Sequence, residues 1–257
     1  MKIRFCALLA ASFCFLFLVA RASADYEILE HKVYFNIGNP YLQKIYLVFG
    51  QTYKFNPVDN TVMRAGGRGS GAIVLYKTKK YFITVAHVVR SYMPEKYEPY
   101  YIFMDYKKNI YKTKLLLADD ERDVALLEIK KEDEDKISEE TIVPGFGDFN
   151  IKQDNVYMCG NVIFLSNLNE FPLCLERPVS GKSVYKMLID GKTTIDLAYY
   201  TVVLGIEHGF SGGPVLNKKF EYTGIIQMIS SKGLYGFLLD KQSVIEAIQE
   251  YEKSKKK

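Results

Sequence analysis

Histidine is scarce in this chain of 257 residues: there are three, His31, His87 and His208, so chemistry that needs an imidazole has few places to find one. Cysteine is scarcer in effect than its count of four, because Cys6 and Cys14 lie in an N-terminal apolar segment that reads as a removable leader. Lys2 and Arg4 precede an uncharged run from Phe5 to Ala20, and Ala22-Ser23-Ala24 supplies the small residues favoured just before a cut at Asp25. A membrane anchor is the competing reading. The run is about 16 residues, short of the roughly 20 needed to span a bilayer, so we expect a signal peptide over residues 1–24, export to the periplasm or extracellular space, and no stable anchor after cleavage. A strong charge imbalance is also missing. The formal charge of +4 loses Lys2, Arg4 and Arg21 with the leader, leaving about +1, which removes the electrostatic motive for nucleic-acid binding. With two cysteines left and no suitable histidine beside them, a metal site is not expected, and no cofactor is implied.

Against these absences stands Gly209-Phe210-Ser211-Gly212-Gly213-Pro214. A serine among glycines can be lifted out of a strand-rich surface by a sharp turn. That turn would aim backbone N–H groups, those of Gly209 and Ser211, at a developing oxyanion. The alternative is a plain Gly/Ser loop. A serine hydroxyl is a weak nucleophile and needs a general base, which in turn needs an acid to fix its tautomer. His87 ends the apolar, β-branched run Tyr81-Phe82-Ile83-Thr84-Val85-Ala86, read as a buried strand running into a short helical turn; there it is either a packed core residue or a catalytic base. Asp123 opens the apolar strand Val124-Ala125-Leu126-Leu127-Glu128-Ile129, with Asp119 and Asp120 as competitors for the acid role.

Chain order separates two scaffolds. Gly209-x-Ser211-x-Gly213 also fits the nucleophile elbow of α/β-hydrolases, where histidine follows serine, but no histidine follows Ser211; His87, Asp123, Ser211 is the order of double-barrel peptidases. Several segments in that order resemble the trypsin-like serine peptidases, and most the HtrA-type branch. They are Gly69-Ser70-Gly71-Ala72-Ile73-Val74 with the His87 segment, Asp123-Val124-Ala125-Leu126-Leu127, Asp154 to Asn161, Val179-Ser180-Gly181, Gly209 to Pro214, and Tyr235-Gly236-Phe237-Leu238.

The resemblance implies an all-β, chymotrypsin-like fold of two six-stranded antiparallel β-barrels with a C-terminal helix. His87 and Asp123 would come from the first barrel and Ser211 from the second. It also implies a triad of His87 as base, Asp123 as orienting carboxylate and Ser211 as nucleophile. Phe210 stands where digestive relatives carry the aspartate that pairs with a new N-terminus, so that activation switch is expected to be absent. With 46 residues after Ser211, no PDZ domain of the HtrA kind is expected. Gly205, six residues before the nucleophile, would floor the specificity pocket, with Gln227, Met228 and Ile229 as its wall and His208 as a further lining residue. Without an acid there, an uncharged side chain before the cut is expected.

A chain in which 48% of residues are apolar can bury a substantial core. We expect a first barrel over about residues 25–135, a second over about 141–240, and a helix over about 241–253 with Val244, Ile245 and Ile248 on its packed face. Lys44 to Phe49 reads as an early strand, Tyr101 to Asp105 and Ile110 to Leu117 as a hairpin, and the charged stretch 130–140 as a solvated connection. Cys159 and Cys174 suggest a disulfide in an exported protein, the alternative being two buried thiols. The functional expectation is an exported serine endopeptidase acting on protein or peptide substrates. The competing readings are a protease-fold binding protein (adhesin, chaperone or decoy) and an esterase on the same fold.

Overall fold

Short runs of alternating or continuous apolar residues, separated by turns, pair antiparallel along most of the chain. The computed structural model describes residues 33–34, 39–56, 58–91, 96–163, 170–189, 193–203, 209–229 and 235–256; the expected leader lies outside the described residues. In chain order the elements are β1 (Val33–Tyr34), β2 (Tyr46–Asn56), β3 (Thr61–Tyr76), β4 (Lys79–Thr84), α1 (Ala86–Val89), β5 (Tyr100–Met104), β6 (Ile110–Asp119) and β7 (Val124–Ile129). There follow α2 (Lys131–Glu134), β8 (Ile142–Val143), β9 (Asn155–Ile163), β10 (Glu170–Ile189), β11 (Thr193–Val203), β12 (Pro214–Leu216), β13 (Tyr222–Ile229), β14 (Tyr235–Asp240) and α3 (Lys241–Ser254).

Two closed rings result. The first runs β2-β5-β6-β7-β4-β3 and returns to β2; the second runs β9-β10-β11-β14-β13-β12 and returns to β9. Closure leaves few unpaired edges, which is how an all-β chain avoids pairing with its neighbours. The fold expected from the resemblance is therefore present. Two short strands are added: β8 lies parallel to β3 at Ile73 and Val74, and β1 pairs with β10 at Cys174 and Leu175. β1 joins the second sheet, and the first ring begins at Tyr46.

The expected hairpin is β5–β6, and one side chain shapes its turn. Asp105 accepts from the Lys107 and Asn109 amides (2.8 and 2.9 Å) and from the Tyr111 hydroxyl (2.8 Å). The charged connection after β7 is largely exposed, as expected, but it has one buried acid. Asp133 is buried, with its carboxylate bonded to the Lys112 amide (3.1 Å) and the Lys136 ammonium (2.6 Å).

One apolar cluster runs through both rings, from Tyr46, Phe82 and Leu126 to Leu216, Ile225 and Leu239. Helix α3 closes it with Val244, Ala247, Ile248 and Tyr251, the three-and-four spacing of one helix face. Asp240 caps that helix by accepting from the Gln242 amide at 2.9 Å.

Candidate active site

Strand β4 carries Phe82, Ile83 and Thr84 fully buried, and the turn of α1 then buries Ala86, Val88 and Val89 while leaving His87 exposed. A residue that could have been core is thus turned outward. The Asp123 carboxylate meets it twice: Oδ2 lies 2.7 Å from His87 Nδ1, and Oδ1 accepts the His87 backbone N–H at 2.9 Å. A carboxylate only accepts, so in the neutral imidazole the proton sits on Nδ1 and Nε2 keeps its lone pair. Asp123 achieves this in a left-handed conformation, φ +50°, which aspartate tolerates better than most residues.

The two competing acids have other partners. Asp119 accepts the amides of Glu121 and Arg122 (3.0 and 2.9 Å) and bonds the Arg122 guanidinium (2.6 Å), while Asp120 pairs with Arg90. The turn that carries Asp123 is also gripped from α3 and the second barrel. Arg122 is buried and reaches Glu250 of α3 at 2.8 and 3.1 Å. Burial opposes its charge, but the bonds to Asp119 and Glu250 outweigh burial and raise its pKa above the ordinary value. Gln227 then donates its side-chain amide to the carbonyl of Arg122, with the Asp123 carbonyl at 3.4 Å.

That contact places Gln227, expected in the pocket wall, at the Asp123 turn. It is 2% exposed and braces that turn. A bulge explains the redirection: Ile226 faces Leu238 and Met228 faces Phe237, so Gln227 is the extra residue of β13. Bulges re-aim side chains in this way beside active sites. Its signal in the sequence is a lone amide between Ile225-Ile226 and Met228-Ile229.

The Ser211 loop is held by other means. Phe210, 1% exposed, enters the second barrel among Val156, Met158, Val215 and Ile226. The hydrophobic ring thus anchors the loop at the position where an ion-pairing acid would otherwise stand. Gly209 and Gly212 take φ of +105° and +85°, angles that favour glycine. The Gly212 and Gly213 amides bond Ile226 O and Phe210 O, both at 2.8 Å. Among the described residues, neither the Gly209 nor the Ser211 N–H has an acceptor.

A residue that sequence reasoning missed joins the two halves. The Ser70 N–H donates to Ser211 O (2.8 Å), its hydroxyl donates to Gly209 O (2.7 Å), and its carbonyl accepts from Thr84 Oγ1 (2.7 Å), three residues before His87. The Asn161 amide completes the set by donating to Ser70 Oγ at 2.8 Å. Strand residues that bond across barrels carry no local signature. Cys159 and Cys174 face each other across β9 and β10 and are joined, with sulfurs 2.05 Å apart. The neighbouring Gly160 lies against the Phe210 ring, where an added Cβ would come within 2.8 Å. Gly205, His208 and the side chains of Met228 and Ile229 lie outside the described residues. Among the described residues, no group of three or more His, Cys, Asp or Glu is placed to hold a metal ion.

The family model for the trypsin-like peptidase domain matches residues 69–225. Among solved structures, the Rv3671c protease of M. tuberculosis, crystallised in its active form, aligns with a TM-score of 0.56 at 15% identity, over 83% of this chain and 84% of that one. Its likeness is one of fold. No curated protein matches the chain by sequence.

Proposed function

We propose, since this chain belongs to the trypsin-like peptidase domain family, that it is a serine endopeptidase. Ser211 Oγ attacks the scissile carbonyl as His87 Nε2 takes its proton. The same proton passes to the leaving amine as the C–N bond breaks, and water then hydrolyses the acyl-enzyme by the reverse use of His87. Asp123 keeps the imidazole in the tautomer this requires, and the Gly209 and Ser211 amides take the oxyanion. The observation that carries the reading is the double contact of Asp123 with His87, at 2.7 and 2.9 Å.

Export by the N-terminal leader and action on protein or peptide substrates belong to the same proposal, as does an uncharged residue before the cut, suggested by the absence of an acid at Gly205. Ser211→Ala should lower kcat on the order of 10⁶-fold while the protein stays folded. Labelling of the wild-type serine by a fluorophosphonate, lost in both Ser211→Ala and His87→Ala, checks the nucleophile and its base together. Hydrolysis by Ser211→Ala at the wild-type rate would overturn the assignment.

A further inference from the structure

Beyond the barrel, β2 and β3 continue as a two-stranded ribbon. β5 pairs with β2 only from Leu47 to Gln51, and β4 with β3 only from Ala72 to Tyr76. Pairing of β2 with β3 nevertheless continues without a register shift from Tyr46 opposite Gly71 to Asn56 opposite Thr61.

In an antiparallel pair, alternate residues turn both N–H and C=O toward the partner strand or away from it. Two sets of hydrogen bonds fix the parity. Ser70, opposite Leu47, sends its N–H outward to Ser211 O. Tyr53, opposite Arg64, donates its N–H to Ser91 Oγ (3.2 Å), and its C=O accepts from that hydroxyl (3.1 Å). Ser70 and Arg64 therefore both face away from β2, and so do Gly66 and Val62. Their main-chain groups lie along the edge that meets the nucleophile loop at Ser70. The outer edge of β2 is covered as far as Tyr53, by β5 and then by Ser91. Among the described residues, no strand covers the outer edge of β3 at Val62, Arg64 and Gly66. Gly66 is exposed, and a Cβ added there would meet nothing within 4 Å.

The position of this edge indicates what it would meet. Gly69 lies against both Ser211 O and the Val88 side chain, since a Cβ there would sit 2.7 and 2.9 Å from them. Val88 follows His87 in α1. The histidine hands its proton to the leaving amine, so the leaving segment departs on the His87 side, across Gly69 and toward the open edge. Exposed apolar side chains flank the ribbon, Phe55 (44%), Met63 (52%) and Val58 (91%), a surface suited to an unfolded chain.

We propose that the edge of β3 from Val62 to Gly66 takes the leaving-side segment of an extended polypeptide substrate as an added strand. The proposal rests on Ser211 as nucleophile. From Gly69 to Val62 the strand covers about 24 Å, so a substrate must run roughly seven residues past the cut to use it fully. Main-chain pairing tolerates many sequences, which fits unfolded polypeptides as the substrate class.

Casein digestion with sequencing of the products first locates a cleavage site; peptides spanning that site then carry either two or eight residues on the leaving side. In the wild type the longer peptide should have about tenfold higher kcat/KM, the gain expected of a few added main-chain hydrogen bonds. Gly66→Pro removes an outward N–H and leaves the bonds to β2 intact. It should cleave the short peptide within about twofold of wild type and lose the length gain. In the Ser211→Ala chain, the longer peptide should slow hydrogen exchange at the Arg64 and Gly66 amides and leave Met63 and Ala65, already bonded to β2, unchanged. An equal length gain in both proteins, no gain in the wild type, or unchanged exchange at Arg64 and Gly66 overturns the edge. If casein is not cleaved, the peptidase reading fails separately, and casein's effect on those two amides decides the edge. Slowing of the same amides by higher protein concentration without peptide would assign the edge to a second copy of the chain and overturn the proposal.

Discussion

Asp123 and Ser211 each sit in a turn that leads into a strand, β7 and β12, yet the two turns are stabilised by different forces. Around Asp123 the contacts are polar: Arg122 lies between Asp119 and Glu250, and Gln227 donates to a main-chain carbonyl. Around Ser211 main-chain hydrogen bonds, several of them to Ser70, are joined by apolar and covalent supports. Phe210 fills the second barrel, glycines take left-handed angles, and the Cys159–Cys174 bridge ties the strand that supports the ring. The comparison teaches that substitutions around the acid should act mainly on catalytic rate, and those among the residues that support the Ser211 loop, Ser211 itself apart, mainly on stability.

Asp123→Asn tests the first half most severely. The amide can donate to Nδ1 and favour the wrong tautomer, so kcat should fall on the order of 10⁴-fold while thermal unfolding barely moves. A loss below tenfold would return the role to Asp119 or Asp120.

Phe210→Ala tests the second half. Removing a buried aromatic anchor should cost about 3–5 kcal/mol in urea unfolding. A loss under about 1 kcal/mol would show that the loop stands without its ring, and the contrast would collapse. The double variant Cys159→Ser with Cys174→Ser should be milder. A bridge closing 15 residues contributes about 3 kcal/mol in the chain-entropy model, and residual activity of the folded fraction should stay near wild type.

Gln227→Leu is the smallest and sharpest test, because it lies on β13 of the second barrel yet serves the acid. It strands buried carbonyls at a penalty of about 1–3 kcal/mol. We expect kcat to drop about tenfold with KM steady, as a positioning role requires. A stability loss with kcat unchanged would make Gln227 purely structural.

The sequence by itself determined the features that depend on local chemistry. Alternating and β-branched runs specified most strands, because side-chain direction along a strand is set by the residues themselves. The order His87, Asp123, Ser211 and the glycines around the serine pointed to one scaffold. The tertiary structure decided whatever depends on where a side chain points after closure. Only the left-handed Asp123 was aimed at His87, although Asp119 and Asp120 have the same chemistry a few residues away. A one-residue bulge placed Gln227 as a brace under the Asp123 turn. Ser70 became a joint between barrels, Val33–Tyr34 crossed to the second sheet, and β3 outran β4. Register shifts, turn angles and strand lengths arise from long-range pairing, and no local pattern encodes them.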